Sequence, residues 1–156
     1  MFTTEMVSFL QSGCALVVGT VGEDGVPLAS RGWGLDVDAG ERSARLLLPA
    51  VDPALRNTIS RDSRIAVTAT NVRTLRSVQL KGLVRDVEPV TEADRERFQR
   101  YCNELFGDIA AADHGERVLI ERLAPGDVVA CGFTVDEVFD QTPGPAAGTR
   151  LDGEDP

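Results

Sequence analysis

Residues 15–33, ALVVGTVGEDGVPLASRGW, contain two β-rich runs separated by the turn residues Gly22, Asp24 and Gly25. Glycine and aspartate tolerate the positive φ angles of a tight hairpin turn. We therefore predict an antiparallel pair of strands over residues 15–21 and 26–36. The turn glycines lack the spacing of a dinucleotide-binding loop, and no helix follows them to face a pyrophosphate.

The rest of the chain predicts further strands with helices between them. Strands are expected over residues 44–48, 64–70, 75–87 and 128–139. Helices are expected near residues 4–11 and 52–61, from a capping box at residues 91–94, and after residue 113. This order lacks the regular strand-helix alternation of a doubly wound fold. The sequence therefore predicts a mainly β (α+β) chain, a six-stranded antiparallel barrel with peripheral helices.

Length and composition set the class of protein. The 156 residues suit one domain, expected over residues 1–150, and the acidic residues 151–156 are expected to form a disordered tail. No apolar run approaches the roughly 20 residues of a membrane span, and the start lacks the basic region of a signal peptide. We expect a cytoplasmic protein without membrane contact.

Charge is distributed unevenly along the chain. The net charge of −9 argues against nucleic acid as a partner, because lysines and arginines hold phosphate backbones, and disfavours an oligonucleotide-binding barrel. Residues 56–85, however, contain seven basic side chains and one acid, Asp62. This density suggests a local anionic ligand, while solvated arginines paired with acidic helices are the alternative.

The usual catalytic constellations are missing from the sequence. His114 is the single histidine, and the three cysteines lie far apart. Neither a Ser-His-Asp triad, a multi-histidine metal site nor a disulfide framework is therefore predicted. No catalytic residue is identified and no metal is expected.

Polar residues inside apolar strands are the more informative signal. Side chains alternate along a strand, so Arg31 and Trp33 share one face of the second strand, and Gln79 and Lys81 share one face of the fifth. A planar cofactor with ring carbonyls and a phosphate tail would supply acceptors for these donors. Alternatively, these side chains face water on a strand that is exposed on one side.

Several short pieces occur in a familiar order. They are the hairpin over 15–33, the strand LLLP over 46–49 with a short helix after it, RDSRIAV over 61–67, VQLKG over 78–82 and QTPGP over 141–145. Together they resemble the pyridoxamine 5'-phosphate oxidase-like, FMN-binding split-barrel family, over about residues 9–151. The resemblance implies a six-stranded split β-barrel and a homodimer with two flavin sites at the subunit interface.

The resemblance also implies which residues hold the cofactor. They come from the second strand beside the ring, the stretch after the third strand, the helix on the phosphate side and the fifth strand. In that order they are Arg31, Trp33, Leu48, Pro49, Ala50, Arg56, Asn57, Gln79 and Lys81. Arg56 is expected near the N-terminus of its helix, where charge and free N–H groups suit a phosphate.

The function implied is that of a flavin-dependent oxidoreductase. FMN would do the redox chemistry on a small-molecule substrate, with a reduced nicotinamide as electron donor. A deazaflavin-dependent reductase is the close alternative, since related barrels hold that longer cofactor in the same groove. A noncatalytic flavin-binding or haem-binding module is the alternative from a different class, as is a barrel that has lost its ligand.

Overall fold

A computed structural model of the chain describes residues 2–114 and 116–153. The strands in this part of the chain are β1 (Ala15–Val21), β2 (Pro27–Gly32), β3 (Leu35–Asp38), β4 (Ser43–Pro49), β5 (Arg64–Thr70), β6 (Ser77–Pro89), β7 (Val128–Thr134) and β8 (Glu137–Asp140). The helices there are α1 (Thr4–Leu10), α2 (Pro53–Arg56), α3 (Glu92–Asp113) and α4 (Arg117–Glu121).

The predicted hairpin is confirmed, but its second strand is divided. β1 pairs antiparallel with β2, and Gly25 takes the positive φ of 76° that the turn requires. At Gly34, φ is 147°, so the chain bends there and continues as β3. The bend is held by backbone hydrogen bonds from Trp33 N to Leu47 O and from Leu47 N to Gly34 O.

All strand pairs between the described strands are antiparallel, which confirms the mainly β class. The order is β2-β1-β5-β6-β7-β4-β3, with β8 pairing with β6 off this path. The described part of the chain has eight strands instead of the predicted six, because the second and the last predicted strands are each divided in two. The path ends at β2 and β3, so a closed six-stranded barrel is not confirmed by these pairings.

The long strand β6 connects the two halves of the sheet. Its first half pairs with β5 and β8, and after a register shift between Val84 and Asp86 its second half pairs with β7. A Cβ atom at Gly82 would clash with the carbonyl oxygen of Thr134. Glycine is therefore required where β6 passes directly beside the end of β7.

Helix α3 packs against the core, and its predicted capping box is confirmed. Thr91 and Asp94 cap each other's backbone N–H groups. Tyr101, Leu105 and Phe106 are buried in the core. No helix in the described ranges is both long and apolar enough to cross a membrane.

Helix α2 is shorter than predicted. It begins after the Asp52 cap and ends at Arg56 instead of near residue 61. The Thr58 hydroxyl bonds the carbonyl of Leu55 at 2.9 Å and the hydroxyl of Thr20 at 2.7 Å. These side-chain bonds compete with continued helix, as hydroxyls often do near helix ends.

Part of the predicted C-terminal tail contacts the sheet. Leu151 packs against the core, and its N–H donates to the carbonyl of Val138 at 2.8 Å. The Asp152 carboxylate pairs with Arg42 at 2.7 Å and Arg150 at 2.9 Å. The remaining residues of that predicted tail, 154–156, lie outside the described residues.

Candidate functional site

Five strands, β2, β1, β5, β6 and β8, present one side-chain face away from the core. Buried and non-buried residues alternate along β1 and β5, as expected for strands with one covered side. We call the uncovered side the outer face. Its residues are Ala29, Arg31, Val17, Gly19, Val21, Arg64, Ala66, Thr68, Gln79, Lys81, Leu83, Glu137 and Phe139.

The strand register places three very small residues side by side on the outer face. Gly19 is opposite Ala29 on one side and Ala66 on the other, and Ala66 is in turn opposite Lys81. A groove of about 530 Å³ lies here, lined also by Pro27, Leu28 and Arg64. The low floor leaves space for a flat ring system, and the Lys81 end supplies a positive charge.

The outer face also carries three cations that have no acidic partner. Within residues 2–114 and 116–153, Arg31, Arg64 and Lys81 form no ion pair. The arginines that do pair with Asp or Glu are Arg42, Arg45, Arg73, Arg76, Arg95, Arg97, Arg117 and Arg150. Among the described residues, five further arginines also form no ion pair: Arg56, Arg61, Arg85, Arg100 and Arg122. What favours an anionic ligand on the outer face is therefore the position of Arg64 and Lys81 at the groove.

Gln79 and Lys81 both lie on the outer face, as their alternation predicts. The Gln79 amide donates to the Thr68 hydroxyl at 2.9 Å, and its oxygen accepts from Gln141 at 3.4 Å. The Lys81 ammonium lies 4.4 Å from the centre of the Phe139 ring. Lys81 is thus held by an aromatic ring and not by a carboxylate.

Arg31 and Trp33 differ in burial at the end of β2. Arg31 is exposed on the outer face, whereas Trp33 is 3% exposed and belongs to the core. The indole meets the rings of Tyr101 and Phe106 edge to face, with centroids 6.4 and 6.2 Å away. β2 ends at Gly32, so the strand alternation does not extend to Trp33 and the two residues differ in burial. Their side chains nevertheless meet, with the Arg31 guanidinium 5.6 Å from the centre of the Trp33 ring.

The residues after β4 divide between two other surfaces. Leu48 is fully buried, while Pro49 and Arg56 line a second groove of about 600 Å³. The Arg56 guanidinium donates to the Ala50 carbonyl at 2.6 and 3.0 Å. Arg56 lies at the C-terminal end of α2, so its predicted position near the helix N-terminus is wrong.

Asn57, by contrast, lies on a surface that continues from the outer face. It lines a third groove, of about 630 Å³, at the β1–β2 hairpin. Pro27 and Leu28 line both this groove and the groove beside Lys81. The structure therefore joins Asn57 and Lys81 through one continuous surface and leaves Arg56 outside it.

The cysteines and the tyrosine offer no nucleophile to this face. Burial raises the pKa of Cys102 to about 11 and the pKa of Cys131 to about 12, so both stay protonated at neutral pH. Burial also raises the pKa of Tyr101, whose hydroxyl donates to the Cys14 carbonyl at 2.7 Å. The outer face itself contains no histidine, cysteine, methionine or tyrosine.

Sequence reasoning missed several residues of this face. The sequence places Gly19 in the first hairpin, Ala66 in a strand and Arg64 in the basic segment, without bringing the three together. Their adjacency depends on the register between β1, β5 and β6. The signal in the sequence is a small residue on the outward-facing side of each strand. It indicates a shared floor only once the strand register is known.

Comparison with known proteins shows the fold. No family model matches the sequence, and no curated protein matches it. A solved F420 reductase is 18% identical over 84% of this chain and 93% of its own, with a TM-score of 0.55. A candidate pyridoxamine 5'-phosphate oxidase from Lactobacillus delbrueckii is 18% identical over 88% of this chain and 93% of its own, with a TM-score of 0.53.

A third similar structure has a different described role. HutZ from Vibrio cholerae, described as a haem storage protein, is 12% identical over 87% of this chain and 92% of its own, with a TM-score of 0.51. At these identities the likeness concerns the fold alone. As the sequence resemblance predicted, the chain has the fold of pyridoxamine 5'-phosphate oxidase-like proteins.

Proposed function

We propose that this chain is a flavin-dependent oxidoreductase that holds FMN, or a deazaflavin, on the outer face. The observation that carries the proposal is the small-residue floor of Gly19 and Ala66 beside the unpaired cations Arg64 and Lys81. A flat aromatic ring with an anionic tail needs both features. The similarity in fold to an F420 reductase and to a candidate pyridoxamine 5'-phosphate oxidase supports the same class of ligand.

The side chains of the outer face fit a flavin by their chemistry. A bound flavin supplies hydride transfer to or from a small-molecule substrate, with a reduced nicotinamide as donor. The Lys81 ammonium would donate to a ring carbonyl and favour the ring that carries negative charge. The Gln79 amide supplies a second polar contact, and Arg64 would bind an anionic group of the tail.

A haem on this face is less well supported by the residues present. Haem iron is held by an axial histidine, cysteine, methionine or tyrosine. None of these residue types occurs on the outer face. Although the fold is similar to that of a haem storage protein, the donor set therefore favours a flavin.

We further propose that a second copy of the chain covers part of the outer face, giving a homodimer. Val17 and Val21 are 53% and 42% exposed there, which is unfavourable for two apolar side chains of one sheet in water. A two-fold interface would bury them and enclose the cofactor. A mass of 16.7 kDa in light scattering at low micromolar concentration would contradict the dimer.

The binding test is a titration of the purified protein with FMN and with F420, followed by fluorescence. Lys81→Met removes one charge-assisted hydrogen bond and should weaken FMN binding by about 1.5–3 kcal/mol. Arg100→Met is the matched control, because Arg100 is exposed on α3 and lies off the outer face. Failure of both cofactors to bind wild-type protein saturably would overturn the proposal.

The phosphate side is tested by a second pair of variants. Asn57 lies on the surface that continues from Lys81, whereas the Arg56 guanidinium is already bound to a backbone carbonyl. We expect Asn57→Ala to weaken FMN binding more than Arg56→Ala. Riboflavin lacks the phosphate, so both variants should bind it as the wild type does. If Arg56→Ala instead loses more FMN affinity than Asn57→Ala, the phosphate binds in the second groove.

Turnover separates an enzyme from a binding module. Anaerobic stopped-flow mixing of the flavin-loaded protein with NADH, NADPH or reduced F420 should bleach the flavin absorbance. Lys81→Met should slow this reduction more than it weakens binding, because the charge acts on the reduced ring. If only dithionite reduces the bound flavin, the chain binds flavin but is not an oxidoreductase.

A further inference from the structure

Two opposite charges on the outer face stand directly across from each other without pairing. Lys81 on β6 and Glu137 on β8 are cross-strand partners in an antiparallel pair. Opposite charges in this arrangement normally attract each other. Within the residues that the structure describes, however, no ion pair joins them. Each charge is instead engaged by a different neighbour.

The neighbours of the two charges explain the separation. The Lys81 ammonium lies over the Phe139 ring, 4.4 Å from its centre. The Glu137 carboxylate lies 3.8 Å from Arg150, which Asp152 holds in place at 2.9 Å. An aromatic face attracts an ammonium group without neutralising its charge. Lys81 is therefore positioned but keeps its capacity to bind an anion.

We infer that Phe139 is a positioning residue, which holds the Lys81 ammonium away from Glu137 and so keeps its charge available to an anionic cofactor. The inference rests on the proposed function, because it assigns Phe139 a part in holding the anionic cofactor. The other charged groups along this groove are Arg64, which repels Lys81, and the exposed Asp136. Among the described residues, Asp136 forms no ion pair with Lys81, so the aromatic contact is the interaction that fixes the direction of the ammonium.

The contact itself is tested without any cofactor. Lys81 is the single lysine of the sequence, so reductive methylation with ¹³C-formaldehyde labels Lys81 and the chain amino terminus only. Lys81→Arg identifies the Lys81 signal by removing it. We expect an upfield ring-current shift of the Lys81 methyl protons in the wild type and in Phe139→Tyr, and its loss in Phe139→Leu. An unchanged signal in Phe139→Leu would overturn the inference.

Competition by Glu137 is tested with the same label. In Phe139→Leu, the freed ammonium should approach the carboxylate, so the additional change Glu137→Gln should shift the Lys81 signal again. In protein that keeps Phe139, Glu137→Gln should leave the signal in place. If Glu137→Gln shifts the Lys81 signal equally with and without Phe139, the ring and the carboxylate do not compete for Lys81.

The consequence for binding is measured with FMN as the probe. Loss of the aromatic contact should weaken FMN binding about two- to five-fold in Phe139→Leu. Phe139→Tyr should bind as the wild type does, and Phe139→Leu with Glu137→Gln should recover most of the loss. A double variant as weak as Phe139→Leu would indicate a packing role instead. If wild-type protein binds no FMN, the proposed function fails, while the NMR results still decide the positioning role.

Discussion

Replacing Asp94 with asparagine tests how helix α3 is attached to the sheet. The Asp94 carboxylate is 2% exposed and accepts hydrogen bonds from Arg45 at 2.8 and 3.0 Å. It also accepts from Arg97 at 3.2 Å and from the Thr91 N–H at 2.9 Å. Asparagine keeps the shape of the side chain but presents an NH₂ group to two guanidinium groups, and guanidinium groups cannot accept a hydrogen bond.

The magnitude follows from the burial and from the partners that remain. Removing one member of a buried ion pair costs about 3–5 kcal/mol. Arg45 and Arg97 keep their bonds to Glu88 and Asp36, so we expect the lower end of this range, about 3 kcal/mol, for Asp94→Asn at pH 7. Glu92→Gln is the control, because Glu92 is 81% exposed and should change stability by less than about 0.5 kcal/mol.

The pH dependence provides a second, independent test. Hydrogen bonds from Arg45 hold the pKa of Asp94 at about 2, against an ordinary value of 3.8. A lowered pKa in the folded state means that the charge stabilises the fold fully above about pH 4, and that this contribution is lost as the pH falls towards 2. The difference in free energy of unfolding between wild type and Asp94→Asn should therefore decrease by about 2 kcal/mol over that interval.

Urea denaturation followed by tryptophan fluorescence measures both effects. Trp33 is the single tryptophan, and its indole touches Tyr101 and Phe106 of α3, so its emission reports the attachment of that helix. The reasoning is refuted if Asp94→Asn loses no more stability than Glu92→Gln at pH 7. A gap that stays constant from pH 7 towards pH 2 would refute the role of the charge.

Three further changes test the fold around the site. Gly82→Ala should cost more than about 2 kcal/mol in urea denaturation, because its Cβ would overlap the backbone of β7, whereas Gly126→Ala has open space and should be nearly neutral. Tyr101→Phe should cost about 1 kcal/mol by the same assay, since its hydroxyl donates to the Cys14 carbonyl; no loss would exclude that bond. Asp152→Asn removes the carboxylate that pairs with Arg42 and Arg150, so amide hydrogen exchange at residue 151 should become faster. Unchanged exchange would show that these ion pairs do not hold the segment on the sheet.

The sequence alone determined the elements whose signals are local. The hairpin turn at Gly25, the capping box of Thr91 and Asp94, and the alternation of Gln79 and Lys81 along β6 were predicted correctly. Each depends on φ preferences, on a hydrogen bond between residues three apart, or on side-chain period. Where the local signal competed with longer-range contacts, as in the helix that ends at Arg56, the prediction failed.

The outer face itself was decided by the tertiary structure. Nothing within one strand places Gly19 next to Ala66, or turns Trp33 into the core two residues after the exposed Arg31. These placements depend on strand register and on the bend at residue 34, which are fixed by contacts distant in sequence. The sequence therefore determined that Lys81 stands among apolar neighbours on a strand. Only the pairing of β6 with β5 and β8 decided that its charge meets an aromatic ring beside a floor of small residues.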